Sequence, residues 1–392
     1  MSATPKLKGL EAAQSLRALM ADQAQEAEVA RTMTAPVVEA LWESGLMRWC
    51  NPTEAGGSEP SFSEMIETWI ELAWQDGSLG WVGIANFPSA AAASAYLPAE
   101  GFNEVFPSAD HKSTVGGQFF PNGMGEEVEG GYLVTGSWNF GSGTGHASHV
   151  AAGFMPSREG EMIFGDDGMP PLLVAIVPRE EVEFTDGWHV QGLRGTGSYD
   201  YKLSECFVPL SRTFPLFTRA PERGNGAVFS MGLMPITAAG HGAWALGVAK
   251  SALDDVEELA KTKVRMGDES SLANRATFQR DLSHQVASWK AARLLLLDIF
   301  STVEAAVARG EDLSPSMRAD MRVAATFATE ISREAVHFAH LAAGTTAIRQ
   351  GSRIERAFRD MYTGTQHVFI GERTYIDAAK IRLGLTEDQF GF

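Results

Sequence analysis

Side chains able to move protons or hold anions are the first guide to what this chain does. Histidine changes charge near neutral pH, and the chain has nine of them. His367 lies beyond a charged run near the C-terminus, Ile354-x-Arg356-x-x-Arg359-Asp360. Its imidazole could take or give a proton at an active site; the competing reading is a surface histidine on a terminal helix. His337 and His340 stand three apart on a helical stretch, a spacing that could hold a metal, but no carboxylate motif accompanies them. His146, His149, His189 and His241 carry no comparable argument. Anion binding is the second possible chemistry. Gly192, Gly195 and Gly197 surround Arg194, so backbone N–H groups can approach an anion while the guanidinium adds charge. A plain β-turn with a solvated Arg194 explains the same pattern equally well.

Other chemistries are excluded by what is missing. There is no GxxxxGK[ST], no strand–helix GxGxxG, no HExxH and no CxxC. Gly141-Ser-Gly-Thr-Gly145 looks like a nucleophile elbow, but Phe140 and Thr144 occupy the places where GxSxG around Ser142 needs glycine. Two cysteines, Cys50 and Cys206, make neither a disulfide scaffold nor a structural zinc site, and they fit a reducing compartment. A net charge of −17 without a basic cluster argues against nucleic acid and anionic membranes as partners. No apolar run of about 18 residues or leader-like core is seen, so the expectation is a cytoplasmic protein with neither membrane span nor metal.

The elements that must position these residues change type twice along the 392 residues. Residues 9–46 are rich in Ala, Leu, Glu and Gln at helical spacing. Asn51–Gly57 interrupts, and Phe62, Met65, Ile66, Trp69, Ile70, Leu72 and Ala73 mark an amphipathic helix that Ser61 or Ser63 could cap. From about 112 to 215 the periodicity shortens: Tyr132–Thr135 after a Gly-Gly turn, Leu172–Val177 between prolines, Glu181–Phe184 and Tyr199–Val208 read as strands. After 226 the chain is helical again. Trp289, Ala292, Leu296, Ile299, Val303 and Ala306 form one stripe ended by Gly310, a further helix runs from about Ser314 to Ala343, and a last one covers roughly 352–370. The expected fold class is α+β, with a helical domain over 1–111, a β-domain over 112–215 and a helical bundle domain over 226–392.

Three local sequences in this order resemble the group D flavin monooxygenases of the acyl-CoA dehydrogenase superfamily. They are Gly130-Gly-Tyr-Leu-Val-Thr-Gly-Ser-Trp-Asn-Phe-Gly-Ser-Gly143 followed by His146-Ala147; Trp188-x-x-x-Gly-Leu-Arg-Gly-Thr-Gly-Ser198 with Phe207-Val-Pro209; and the Arg359-Asp360 run with His367. The resemblance spans about 40 to 385. It implies the acyl-CoA dehydrogenase fold, with a β-barrel-like central domain and a four-helix C-terminal bundle. It also implies the oxygenase component of a two-component system: a separate reductase supplies FMNH2 or FADH2, O2 is co-substrate, and an aromatic or heteroatom-bearing small molecule is hydroxylated through a C4a-hydroperoxyflavin. By the same resemblance Gln118-Phe119-Phe120-Pro121 is a loop bordering the flavin. Phe140, Ser142 and Gly143 lie on its other side with the Ser142 hydroxyl near flavin N5, and Trp138 is structural. Arg194, in its glycine-rich turn, is the candidate for binding the cofactor's anionic part. His367, eight positions after Arg359, faces the flavin and is catalytic with Ser142. Coarse alignment puts Trp81, Asn86 and Phe87 at the substrate pocket. A homotetramer is implied. The rival readings are an FAD-dependent acyl-CoA dehydrogenase with a displaced base, and a flavin-fold protein that binds without turnover. Where the dehydrogenases carry their glutamate base this chain has Val368, and Tyr362-Thr-Gly-Thr365 has Thr363 in the corresponding place of its own motif; neither can abstract a proton.

Overall fold

The computed structural model describes residues 9–388. Helices come first. The stretch expected to be helical over 9–46 is four short helices, Gly9–Ser15, Arg17–Ala30, Ala35–Glu43 and Leu46–Trp49. Left-handed backbone breaks it twice, at Arg31 (φ 57°) and at Gly45 (φ 83°). Helix Phe62–Gln75 begins in a capping box: the Ser61 hydroxyl accepts from the Glu64 amide, and the Glu64 carboxylate accepts from the Ser61 amide. Asp76 then turns the chain. Its carboxylate accepts from the amides of Ser78 (2.9 Å) and Leu79 (3.1 Å) and so starts a second helix, Gly77–Tyr96, at once. That helix is buried along every residue but Ala85 and runs through the centre of the molecule.

The middle is one eight-stranded sheet: β1 Val115–Val128, β2 Gly131–Gly141, β3 His149–Arg158, β4 Glu161–Met162, β5 Leu173–Pro178, β6 Glu183–Thr185, β7 Tyr199–Pro209 and β8 Thr213–Pro215. The strand order is β6-β7-β2-β1-β3-β5-β8, with β4 beside β3. β1 and β3 are parallel, and the other pairs are antiparallel. A cluster of its own, including Trp138, Phe154, Val177 and Tyr201, fills the sheet. Trp138 stacks on Tyr201 with ring centroids 5.3 Å apart and donates from Nε1 to the Gly153 carbonyl, so it is a core residue.

Helices Leu233–Thr262, Ala276–Ala308, Pro315–Ala343, Arg353–Gly364 and Arg373–Arg382 complete the chain. The stripe from Trp289 to Ala306 is buried, with Ile299 partly so. The expected last helix over 352–370 is instead two elements. It stops at Gly364, where a Cβ would stand 2.2 Å from the Trp244 ring so that only glycine fits, and a new helix starts at Arg373. Among the described residues no helix is long and apolar enough to cross a membrane, and no group of three or more His, Cys, Asp or Glu is placed to hold a metal.

Candidate active site

The end of β2 carries the polar centre of the site. Phe140 takes a left-handed conformation (φ 62°), its amide held by the Asp200 carboxylate at 3.0 Å, and the strand bends into Ser142. The Ser142 carbonyl accepts from the Gly117 amide at 3.0 Å, pinning the turn to β1. Gly143 follows with φ +73°, and a Cβ on it would fall 1.9 Å from the Asn86 side-chain oxygen, so only glycine fits. The Ser142 hydroxyl accepts from Trp81 Nε1 at 3.0 Å and from the Ser198 hydroxyl at 3.2 Å, which in turn shares a 2.7 Å bond with Thr196. Three distant segments therefore meet on one hydroxyl: β2, the turn before β7, and the buried central helix.

Trp81 carries the site onward to the histidines. Its ring lies edge-on to Trp244 (5.0 Å), His241 (5.4 Å) and His367 (6.0 Å). The two imidazoles are 4.4 Å apart. His367 is not on a helix, as its position near the expected one suggested. It caps the single turn Val368–Ile370 beyond the Gly364 stop, and its Nδ1 accepts from the Phe369 amide at 3.2 Å. That bond leaves Nε2 as the protonated, donating nitrogen of the neutral ring. The ring is reachable by solvent, yet its charged form is strongly disfavoured. Burial among neighbouring atoms holds its pKa well below the usual histidine value, with His241 and the Arg322 guanidinium adding to the effect. Arg322 itself lies 3.4 Å from the Phe369 ring centroid, donates to the Phe369 carbonyl at 2.6 Å, and is pushed by burial down to about 10.

The remaining expected residues divide. Gln118 and Phe119 belong to β1 and not to a loop. The ladder with β3 slips between Gln118 and Pro121, so the segment is a bulged strand in which Pro121 has no amide to give. The Gln118 amide donates to the Tyr201 hydroxyl at 2.9 Å. Phe120 and Phe140 are exposed large aromatics, 57% and 64% accessible. Asn86 is fully buried, donating to the Val115 carbonyl at 3.1 Å. Phe87 is also fully buried, on the face of its helix packed toward Leu72 and Trp69. The turn around Arg194 spends its amides inside the protein: Leu193 donates to Asp360 (2.6 Å), Gly195 to Ser78 (3.1 Å) and Thr196 to the Leu193 carbonyl (3.3 Å), while Arg194 Nε donates to the Val190 carbonyl (2.9 Å). Those three amides hold protein acceptors and not the anion that the glycine pattern suggested.

Asp360 explains why. It is wedged between Gly77 and Gly192: a Cβ on Gly77 would meet its carboxylate at 2.5 Å, and one on Gly192 would meet the Arg359 carbonyl at 2.2 Å. Around it Glu28 pairs with Arg359 (2.7 Å) and Arg356 (3.3 Å), and Arg356 with Asp76 (3.5 Å). Burial, reinforced by Asp76, pushes the Asp360 carboxyl up to about 8, against the Leu193 N–H and Arg359, which favour its charge. This hub fixes how the central helix, the β7 turn and the last helices approach one another. Sequence reasoning used the Arg359-Asp360 pair as a landmark and assigned it no role. It also passed over His241 and Ser198, for which spacing carried no signal.

An enclosed void of about 10 Å³, room for a single water, lies elsewhere, between Cys50, Met65, Pro88 and Ile236. Residues 239–372 match the family model described as acyl-CoA dehydrogenase, C-terminal domain. The chain is 30% identical over 357 residues to an indole-3-acetate monooxygenase of Acinetobacter baumannii, covering 89% of this chain and 87% of that one. It is 28% identical to the flavin-dependent monooxygenase oxygenase subunit HsaA of Mycobacterium tuberculosis, covering 93% and 92%. The crystal structure of the HsaA monooxygenase from that organism aligns with a TM-score of 0.89 at 26% identity, over 98% of this chain and 99% of that one. Likeness of this extent joins the helical, sheet and bundle parts in one lineage, and the chain belongs to the flavin-dependent monooxygenases built on the acyl-CoA dehydrogenase fold.

Proposed function

We propose that a reduced flavin and an aromatic substrate bind beside Ser142, Trp81 and His367, and that the protein is the oxygenase component served by a separate flavin reductase. The proximity of Ser142, Trp81 and His367 supports this reading: the Trp81 indole from the central helix donates to the Ser142 hydroxyl at 3.0 Å and stands 6.0 Å from the neutral His367 imidazole. The residues fit a flat aromatic ring. The backbone there is built from Gly116, Gly117, Gly141 and Gly143, exposed Phe120 and Phe140 flank it, and one hydroxyl stands at the turn. Bound reduced flavin supplies the electrons that activate O2, one oxygen going to the substrate and the other to water. The protein's part is to orient, to donate and to keep water out. Ser142 offers its hydroxyl to the ring edge. Its Trp81 and Ser198 partners fix the oxygen in place. His367 presents an Nε2–H that can hold a developing negative charge on oxygen.

Proton abstraction from a CoA ester has no support at the corresponding positions. The Thr363 hydroxyl is turned back to the Arg359 carbonyl at 2.8 Å, and Val368 is 88% exposed. Assembly as a homotetramer is part of the proposal. Leu294, at 60% accessible, and Leu295, at 37%, lie exposed beside the buried Leu296 and need a partner surface. The function is tested with reduced FMN or FAD, labelled O2 and a panel of phenols and indoles, with indole-3-acetate included. Incorporation of one labelled oxygen supports it. Oxidation of a CoA ester without label would replace it with the dehydrogenase reading.

A further inference from the structure

Two hydroxyls lie on the protein side of Ser142, shielded from solvent. Ser198 is 1% accessible and Thr196 fully buried, so their hydrogens must find protein acceptors. The Ser198 oxygen stands 2.7 Å from Thr196 Oγ1 and 3.2 Å from Ser142 Oγ. A hydroxyl has one hydrogen, and here two oxygens compete for it. Thr196 gives its own hydrogen to the Leu193 carbonyl at 2.9 Å, which leaves its oxygen open to Ser198. Ser142 already accepts from Trp81 Nε1 at 3.0 Å. The outward side of Ser142 is open: the residue is half-buried and follows the exposed Phe140 by two positions.

The two settings of the Ser198 hydrogen give Ser142 opposite characters. When Ser198 points to Ser142, both lone pairs of the Ser142 oxygen are filled and Ser142 only donates. When Ser198 points to Thr196, one Ser142 lone pair is free and Ser142 also accepts. Rotation about the Ser198 Cβ–Oγ bond moves no heavy atom, and the buried hydrogen stays bonded in both settings. Reduction of a flavin adds two electrons and places a proton on N5, which turns that nitrogen from an acceptor into a donor. We propose that Ser198 and Thr196 form a hydroxyl switch that matches Ser142 to both redox states of the ring. Ser142 donates to the bare nitrogen of the oxidised flavin and accepts from the N–H of the reduced one. This rests on the flavin reading above and makes Ser198 and Thr196 positioning residues. A Ser142 held only as a donor would face the reduced N–H with filled lone pairs and leave it unpaired.

Thr196→Val removes the alternative acceptor with little change of shape, and the Leu193 carbonyl keeps the Trp188 indole N–H (3.2 Å) and the backbone amide of Thr196 (3.3 Å). Ser198 then has only Ser142 to bond, and Ser142 is locked as a donor. Ser198→Ala does the reverse and leaves a Ser142 lone pair always free. Dissociation constants of oxidised and reduced FMN and FAD are measured by anaerobic titration of the flavin-free protein. Thr196→Val should weaken the reduced form by about fivefold to tenfold and leave the oxidised form within about twofold. A tenfold change in that ratio lowers the potential of the bound flavin by about 30 mV, which a redox titration reads independently. Ser198→Ala should keep the reduced form within about twofold and, added to Thr196→Val, should cancel its loss. Thermal melts check folding, and if Thr196→Val is unstable, Thr196→Cys, with its weakly accepting sulfur, must shift the ratio in the same direction. Redox forms weakened alike, an unchanged ratio, or a Thr196→Val loss that persists without Ser198 would overturn the switch and leave the flavin site standing. A wild type that binds neither form of either flavin overturns the flavin reading, and the switch with it.

Discussion

Ser142 and His367 do separable jobs if the site works as described. Ser142→Ala removes one acceptor and donor from a fixed position, a loss of about 1 kcal/mol. It should lower product per reduced flavin consumed by several-fold and raise hydrogen peroxide correspondingly. Unchanged coupling would reduce Ser142 to a turn residue holding Trp81. His367→Ala should cut hydroxylation by about 10² to 10⁴, with the fold and flavin affinity nearly intact. His367→Asn should regain part of that if hydrogen bonding is the main contribution. The depressed His367 pKa sets the pH profile. The ring stays neutral through pH 6 to 8, so the rate should show no inflection near 6.5 that disappears in His367→Ala. Such an inflection would mean that the imidazole is more open to water than its neighbours allow. The linkage has a sign too. The unfolded chain protonates His146, His149, His241 and His367 near 6.5 while the folded chain resists, His146, His149 and His241 each down to about 4. Their contribution to stability is therefore complete above 6.5 and lost as pH falls below it.

At the scale of elements, the sequence made the order of helices and strands legible because burial imposes different periods on each. The Phe62–Gln75 helix and its Ser61 cap, the Trp289–Ala306 stripe and the strand in Leu172–Val177 were read from spacing alone. What escaped were interruptions decided by distant partners. Residue 364, the last of its helix, must be glycine because Trp244, 120 positions earlier in the chain (364 − 244), occupies the space of a Cβ. Residues Gln118–Pro121 were a loop only by the family resemblance, while in the structure they belong to β1 and its ladder with β3 absorbs the irregularity as a bulge. Ser142 and His367 were singled out as candidates through motifs. The place of His241 beside them was not legible, since only packing brings its ring to 4.4 Å from His367. The Asp360 hub makes its own prediction. The unfolded carboxyl ionises near 4 and the folded one near 8, so between those values the folded state holds the extra proton and stability falls as pH rises. Asp360→Asn keeps an oxygen for the Leu193 amide and removes the ionisation. It should raise Tm at pH 8 by about a few degrees, with the gain shrinking toward pH 5. A uniform loss of Tm at every pH would show that the carboxylate is needed as a charge beside Arg359.

Across the whole molecule, the exposed leucines beside the bundle stripe argue for assembly. Leu294→Glu with Leu295→Glu should shift the light-scattering mass to a smaller species at micromolar concentration while circular dichroism stays unchanged; a monomeric wild type would remove the premise. The wedge that Asp360 forms between Gly77 and Gly192 reaches further than stability. It is supplied by residues around 360 to clamp residues far earlier in the chain, so a ribosome must pass that point before the site can take its final form. A nascent chain halted at residue 350 has its sheet and its central helix but not the piece that seats against Trp244 and closes them together. It should display apolar surface and depend on holding chaperones, and a hydrophobic dye should bind it strongly. A synthetic peptide covering 351–388 should displace that dye, and a 350-residue chain that bound no more dye than the intact protein would show that the clamp is dispensable for closure.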